Sequence, residues 1–410
     1  MTYTFESLAQ AIGCPALPDL LFPYFSQAME EYDKNGCLLA DPALFENLHK
    51  QYGCYPNHLD IFCDAARQIA ADEPLARYLT LLGIAIRDRD AINQSPYAIP
   101  MLTPPEGKPA LGYEMVNGLS FAAVIPDAYN TMMARGIPEE LVRSTLANIE
   151  GSVREFAIRN GGRPGYHLFG WFQLIVDGKL FRIHRLEIEI GNKFEGHGSV
   201  FRSSSGEEVH LADGIKIHKS GYAFGSPNLT DEEGAWEAHI VETEDYFEGH
   251  PVSVDGRTSV ETVRLSRSEW KKILSHGDPT VHLHIPGNGV PFTPENVDET
   301  IRETKEFLAS YFPDFRYKAF TCSSWMLDPQ LWDMLGDSSN LVHFGKRFHM
   351  SPAKSGGKGV FYFVFKQPTP AELSNEYFSS LPGETRLHRL LKQHYLDGKY
   401  IYEVTGYFFA

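Results

Sequence analysis

The sequence predicts an α+β protein: a helical N-terminal domain over residues 1–160, then a mixed α/β domain over 161–410 with a central, mostly antiparallel sheet. Three observations predict it. Up to Phe156, apolar residues recur at the spacing of helix faces, and several of these runs open on capping residues. From Trp171 onward the period falls to two, as strands require. Val281–Phe312 then reads as strand, glycine turn and helix in one stretch.

Asp19–Tyr32 is expected to be helical, with Leu20, Leu21, Tyr24 and Ala28 on its apolar side. Asp41 and Pro42 form an N-cap and first-turn pair for a helix ending near Tyr52. Helices over Pro56–Ala71 and Glu73–Arg89 follow. Five prolines between Ile92 and Gly118 predict an irregular connector on the surface. Leu119–Arg135 is apolar enough for a helix interrupted near Pro126. Pro138 opens an amphipathic helix with Val142, Leu146, Ile149, Val153 and Phe156 on one face, capped by Asn160-Gly161-Gly162.

Alternation and an Asp177-Gly178 turn predict a hairpin of Trp171–Val176 and Leu180–Ile190, with Arg185, Glu187 and Glu189 on one face. Residues 191–280, polar and rich in Gly, Ser and Asp, are expected to extend the sheet, with short helices at Leu229–Trp236 and Ser266–Leu274. In the stretch that follows, Val281, Leu283 and Ile285 alternate with His282 and His284. Thr293 and Pro294 then open a helix that Pro313 stops. Further strands are expected at Tyr317–Met326, Leu341–Met350, Gly359–Lys366 and Tyr400–Phe408. Helices are expected after Asp328-Pro329 and over Glu384–Leu396.

A formal net charge of −16 argues against whole-surface attraction to nucleic acid or anionic membrane. One segment departs from it: Leu341–Lys366 carries Lys346, Arg347, Lys354, Lys358 and Lys366 and no carboxylate. It reads either as a solvated loop or as a phosphate-facing patch. The five cysteines include no Cys-x-x-Cys pair, which disfavours a zinc site or a disulfide framework. The N-terminal residues lack a secretory pattern, and the apolar run Leu79–Ile86 is too short to cross a bilayer. A cytoplasmic protein with no membrane span is expected.

A helix opening after a glycine turn presents unpaired N–H groups and a partial positive charge, which suit phosphate. Here the turn is Pro286-Gly287-Asn288-Gly289, preceded by His284. From Leu180 on, the order is antiparallel strands, strand, glycine turn, helix, strand, helix, strand, strand. That order resembles the GNAT superfamily of acyl-CoA N-acyltransferases, whose phosphate turn reads Gln/Arg-x-x-Gly-x-Gly/Ala. Gly287 and Gly289 match; His284 stands where Gln or Arg is usual. The strings RGIPEELVRSTLANI, WFQLIVDGKLFRIHRLEIE, HIPGNG, CSSWMLDPQL and SSNLVHFGKRF, in order from Arg135 to Phe348, carry a closer resemblance. They are similar to bacterial acyltransferase-domain proteins that join a helical N-terminal domain to a GNAT-like C-terminal domain.

The resemblance implies acyl-CoA as co-substrate, with no metal, and a small-molecule or peptide amine as acceptor. Backbone donors of Gly287, Asn288 and Gly289, in the turn begun by Pro286, would take the diphosphate. Lys346 and Arg347 are the nearest cationic candidates. Removing a proton from the amine asks for a carboxylate or histidine, so Glu187, Glu189 and His284 are the candidate bases. Ser323 or Ser324 would serve the thiolate or the acyl oxygen; alternation allows only one of them to face the cleft. Asp328 would position its neighbours.

Plainer roles stand beside these: Glu187 and Glu189 as partners of Arg185, His284 as a carbonyl-bonded strand histidine, Asp328 as a helix cap. Two rival functions follow. His282 and His284 have the spacing of a metal pair, but Ile285–Phe292 lacks the carboxylate such a site wants. And the departure at His284 fits a protein that binds CoA, or a protein partner, without catalysis.

Overall fold

The computed structural model describes residues 3–287, 290–367 and 372–410. The chain divides into two compact units, Met1–Arg182 and Ile183–Ala410. The sequence put the boundary near 160. Residues 161–182 group with the first unit because Phe169–Val176 is a helix rather than the first strand of a hairpin. That run, FGWFQLIV, is apolar almost throughout, and a short run of this kind carries neither period.

In the first unit, α1 (Pro42–Tyr52) starts where Asp41 accepts from the Ala43 amide at 3.0 Å and ends on left-handed Gly53. α2 (Leu59–Ala70) buries Phe62, Cys63, Ala65, Ala66 and Ile69. α3 (Glu73–Ala85) and α4 (Ala110–Ser120) are buried along nearly their whole lengths. The expected surface connector over 92–118 is therefore corrected at its end. α4 has no polar stripe because it has no solvent face, which is why periodicity could not reveal it. The amphipathic run after Pro138 divides into Glu139–Leu146 and α5 (Ile149–Arg159). Glu150, on α5, is 4% exposed and receives the amides of Asn57 and His58 at 2.6 and 2.8 Å.

The second unit is organised on a sheet of β1 (Leu180–Ile183, at the junction), β2 (Leu186–Lys193), β3 (Pro279–His284), β4 (Ala319–Ser324), β5 (His349–Ser351) and β6 (Val404–Phe408). Its order is β1-β2-β3-β4-β6-β5. β2/β3, β4/β6 and β5/β6 are antiparallel; β3/β4 is parallel. A parallel pair needs a crossover, and α6 (Pro294–Tyr311) supplies it. Thr293 caps α6 and Pro294 takes its first position, as the sequence predicted. The turn between β1 and β2 lies at His184-Arg185, where His184 adopts φ +44°, not at Asp177-Gly178.

β2 carries a bulge against β3. Thr280 pairs with Asn192 and Val281 with Ile190, so Gly191, at φ +83°, is the extra residue. Residues 191–280 build two additional sheets rather than extending the first. One runs, in order, through Trp270–Ser275, Ser199–Ser203, Glu208–Ala212, Tyr246–Val252 and Val241–Glu242, with Val263–Ser266 also on Tyr246–Val252. The other pairs Ile215–Ile217 with Trp236–Ala238. The helices expected at 229–236 and 266–274 are absent from these residues. Two expected strands are likewise corrected: Asn340–Gly345 is helical before β5, and Gly359–Phe363 is a short helix. Among the described residues, no helix is long and apolar enough to cross a membrane.

Candidate active site

Register and alternation place the polar side chains of the central strands. His284 pairs with Glu187, His282 with Glu189 and, on the other side, with Thr321; Ser323 pairs with Thr405. Cross-strand partners and alternate residues share a face, so all seven lie on one side of the sheet. Glu187 is buried, while Glu189 and His284 are half-buried. His284 Nε2 lies 2.9 Å from Glu189 Oε2. The His282 and His284 rings are 4.7 Å apart. Burial, with His284 beside it, holds the His282 imidazole far below the ordinary histidine range, at about 3.

β3 and β4 pair only through Thr280–Ala319, Val281–Phe320 and His282–Thr321. Beyond that point β3 continues against β2 to His284, and β4 continues against β6 to Ser324. The two parallel strands therefore part, with Leu283 and His284 on one lip and Cys322 and Ser323 on the other. Ser323 is exposed, its hydroxyl 2.9 Å from that of Thr405.

The glycine turn leaves the His284 end of β3. Arg185, 7% exposed, donates from Nη1 to Pro286 O at 2.8 Å and stacks 4.9 Å from the Phe292 ring centroid. Its own amide donates to Thr300 Oγ1 on α6 at 3.2 Å. One guanidinium thus fastens the start of the turn. A Cβ built on Gly287 meets nothing within 4 Å. Asn288 and Gly289 lie outside the described residues.

The remaining sequence candidates sit elsewhere. Ser324 faces the opposite side of the sheet from His284, since alternation separates it from Ser323, and its hydroxyl accepts from the Met326 amide at 3.2 Å. Asp328 is 2% exposed and accepts from the amides of Tyr402 and Gln330 at 2.7 and 2.9 Å. Burial pushes its carboxyl up to about 6 against those bonds. Lys346 is 2.6 Å from Asp337. Arg347 pairs with Asp298 on α6 and reaches Pro294 O at 3.3 Å. These two cations of the run thus meet carboxylates supplied from outside it. Among the described residues, no group of three or more His, Cys, Asp or Glu could hold a metal ion.

Sequence reasoning passed over Thr280 and Thr321. Thr321 Oγ1 is 3.0 Å from His282 Nδ1 and 3.3 Å from Thr280 Oγ1, which in turn is 3.3 Å from Asn192 O. A threonine in a strand signals only β-propensity, and no spacing rule brings residues of three strands together.

The comparisons agree with this architecture. Residues 180–408 match the GNAT-like C-terminal domain family, and residues 60–178 match the N-acyltransferase N-terminal domain. No curated protein matches. Among solved structures, the chain is similar to an acyltransferase in complex with decanoyl-CoA and teicoplanin, at 19% identity over 99% of both chains and a TM-score of 0.62. It is similar to an acyltransferase with CoA and 10C-teicoplanin, at 19% over 99% of both chains, TM-score 0.63. A third, an acyltransferase mutant with octanoyl-CoA, is 18% identical over 98% of both chains, TM-score 0.62. At these identities the likeness establishes a shared fold. The chain belongs to the family of proteins carrying a GNAT-like C-terminal domain, here behind an N-acyltransferase N-terminal domain.

Proposed function

We propose that this protein transfers an acyl group from an acyl-CoA to an amine on a small molecule or peptide. The observation that carries the reading is the parting of β3 from β4 just past His282 and Thr321, with the Glu189–His284 pair on one lip and Ser323 on the other. The acyl-CoA complexes of proteins of the same fold support it, and teicoplanin in one of them supports a small-molecule acceptor.

In this reaction the amine nitrogen attacks the thioester carbonyl carbon; the C–N bond forms and the C–S bond breaks. The proton lost by nitrogen goes to the His284–Glu189 pair, which a carboxylate–imidazole contact suits. The leaving thiolate, steadied by the Ser323 hydroxyl as hydrogen-bond donor, takes up the proton that the His284–Glu189 pair received, which returns the pair to its starting state. The turn from Pro286 to Gly289, ahead of α6, takes the diphosphate on main-chain amides. Arg347, at the first turn of α6, is the nearer cationic candidate, and Lys346 lies beside it in sequence. Glu187 lines the same face; Ser324 and Asp328 act on the fold around it. Five free thiols support a reducing compartment, the cytoplasm.

The test is thiol release from acetyl-, octanoyl- and decanoyl-CoA against a panel of amines, alongside CoA-thioester binding by calorimetry. Release that depends on both substrates is expected, and Gly287→Trp, which fills open space beside the turn, should weaken acyl-CoA binding about tenfold or more. Binding with no release on any amine would replace the enzyme by a CoA-binding protein. No binding would remove the reading altogether.

A further inference from the structure

A chain of hydroxyls runs across the sheet behind the two histidines, and its direction is fixed at one end. Asn192 O can only accept, so the Thr280 hydroxyl must donate to it, at 3.3 Å. Thr280 then has only lone pairs left for Thr321, whose hydroxyl donates to it, also at 3.3 Å. Thr321 has spent its proton, so its contact with His282 Nδ1 at 3.0 Å requires a hydrogen on that nitrogen. His282 is 8% exposed and remains a neutral imidazole with a single N–H. Its Nε2 is thereby left with the lone pair.

We infer that Thr280 and Thr321 are positioning residues for the transfer: they lock His282 as its Nδ1–H tautomer, making Nε2 a fixed acceptor for an N–H of the incoming amine. The free imidazole favours the other tautomer, so the lock reverses an intrinsic preference. It also divides the work between adjacent rings. His284, held by Glu189, handles the proton that leaves; His282 orients the amine that attacks. The inference rests on the acyl-transfer reading for its role, but not for the tautomer.

Two measurements test it on the full chain. Long-range proton–nitrogen correlation NMR of histidine-labelled protein, with His282→Asn for assignment, reads the tautomer directly. Nδ1–H is expected in the native protein, and Thr321→Val, which keeps the shape and removes the acceptor, should shift His282 toward Nε2–H. In kinetics, Thr321→Val should lower kcat about 10–100-fold with the KM for acyl-CoA unchanged, and Thr321→Ser should restore it. A native Nε2–H signal overturns the lock, and a Thr321→Val enzyme with native kcat overturns its positioning role in the transfer. If no amine is acylated, the transfer reading falls and takes the positioning role with it, while the nitrogen shifts still decide the tautomer.

Discussion

His284 Nε2 lies 2.9 Å from Glu189 Oε2, although His284 pairs in register with Glu187. The contact is the diagonal across two strands, within reach of long side chains on one face. Glu187 is more deeply buried than Glu189, so the carboxylate that meets the imidazole is the one nearer solvent.

That diagonal predicts the most damaging substitutions. His284→Ala and Glu189→Gln should each lower kcat by about 10²–10⁴-fold, the usual worth of positioned acid–base catalysis. Because the two act as a unit, the double variant should lose little more than either single one. Steady-state rates of CoA release check this; additive losses would show separate roles.

A second expectation concerns the first unit. Glu150 accepts from Asn57 N, His58 N and Asn57 Nδ2 at 2.6, 2.8 and 3.0 Å, holding the turn that leads into α2. The same turn carries Tyr55 at φ +60°, an unusual conformation for a buried tyrosine. Glu150→Ala strands those donors and should cost about 2–3 kcal/mol in urea unfolding, with Glu150→Gln milder. Equal, small losses for both would mean the turn holds itself.

Gly118 gives a third. On α4 a Cβ at this position would sit 2.7 Å from Tyr166 Cδ2, and Tyr166 is fully buried, with its amide bonded to Glu114 O at 2.7 Å. The ring has nowhere to go. Glycine to alanine ordinarily stabilises a helix; here Gly118→Ala should destabilise by about 1–3 kcal/mol through overpacking. A raised Tm would refute the close fit.

The fourth is a pH dependence with opposing parts. Burial raises the Asp328 carboxyl to about 6, above an unfolded value of about 3.9. Between those values the folded chain binds more protons than the unfolded one, so this group's contribution falls as pH rises and stays low above about 6. His210 and His282, both lowered to about 3 by burial, act in reverse: stability falls as pH drops below about 6.5. Asp328→Asn removes only the first effect. The variant should therefore lose stability more steeply than the native protein between pH 7 and pH 5 in urea titrations. Parallel curves would mean Asp328 titrates normally.

Where the chain carries its own start and stop chemistry, sequence and structure coincide. Asp41-Pro42 and Thr293-Pro294 open helices where they should, and His284 was found through the turn it precedes. Segments without a polar side were not legible. α4 and Phe169–Val176 are surrounded by protein, so no alternation marks them. Glu189 and His284 could each be named from the sequence, but their contact could not. It depends on β2–β3 register, which the bulge at Gly191 shifts by one. Thr321 became visible only once the parallel pairing with β3 was known, because nothing local ties it to His282.

The bulge at Gly191 has a consequence for how this protein can change. It switches the phase of β2: Glu187 and Glu189 stand over the site, and past the extra residue the chain resumes with Phe194 packed 5.6 Å from the Tyr407 ring. Losing Gly191 would heal the ladder with Asn192 still opposite Thr280, whereas gaining one residue between Asn192 and Phe194 would turn Phe194 to the opposite side and take it off Tyr407. The strand can therefore grow less easily than it can shrink: loss of the extra glycine should be tolerated far better than an insertion after it.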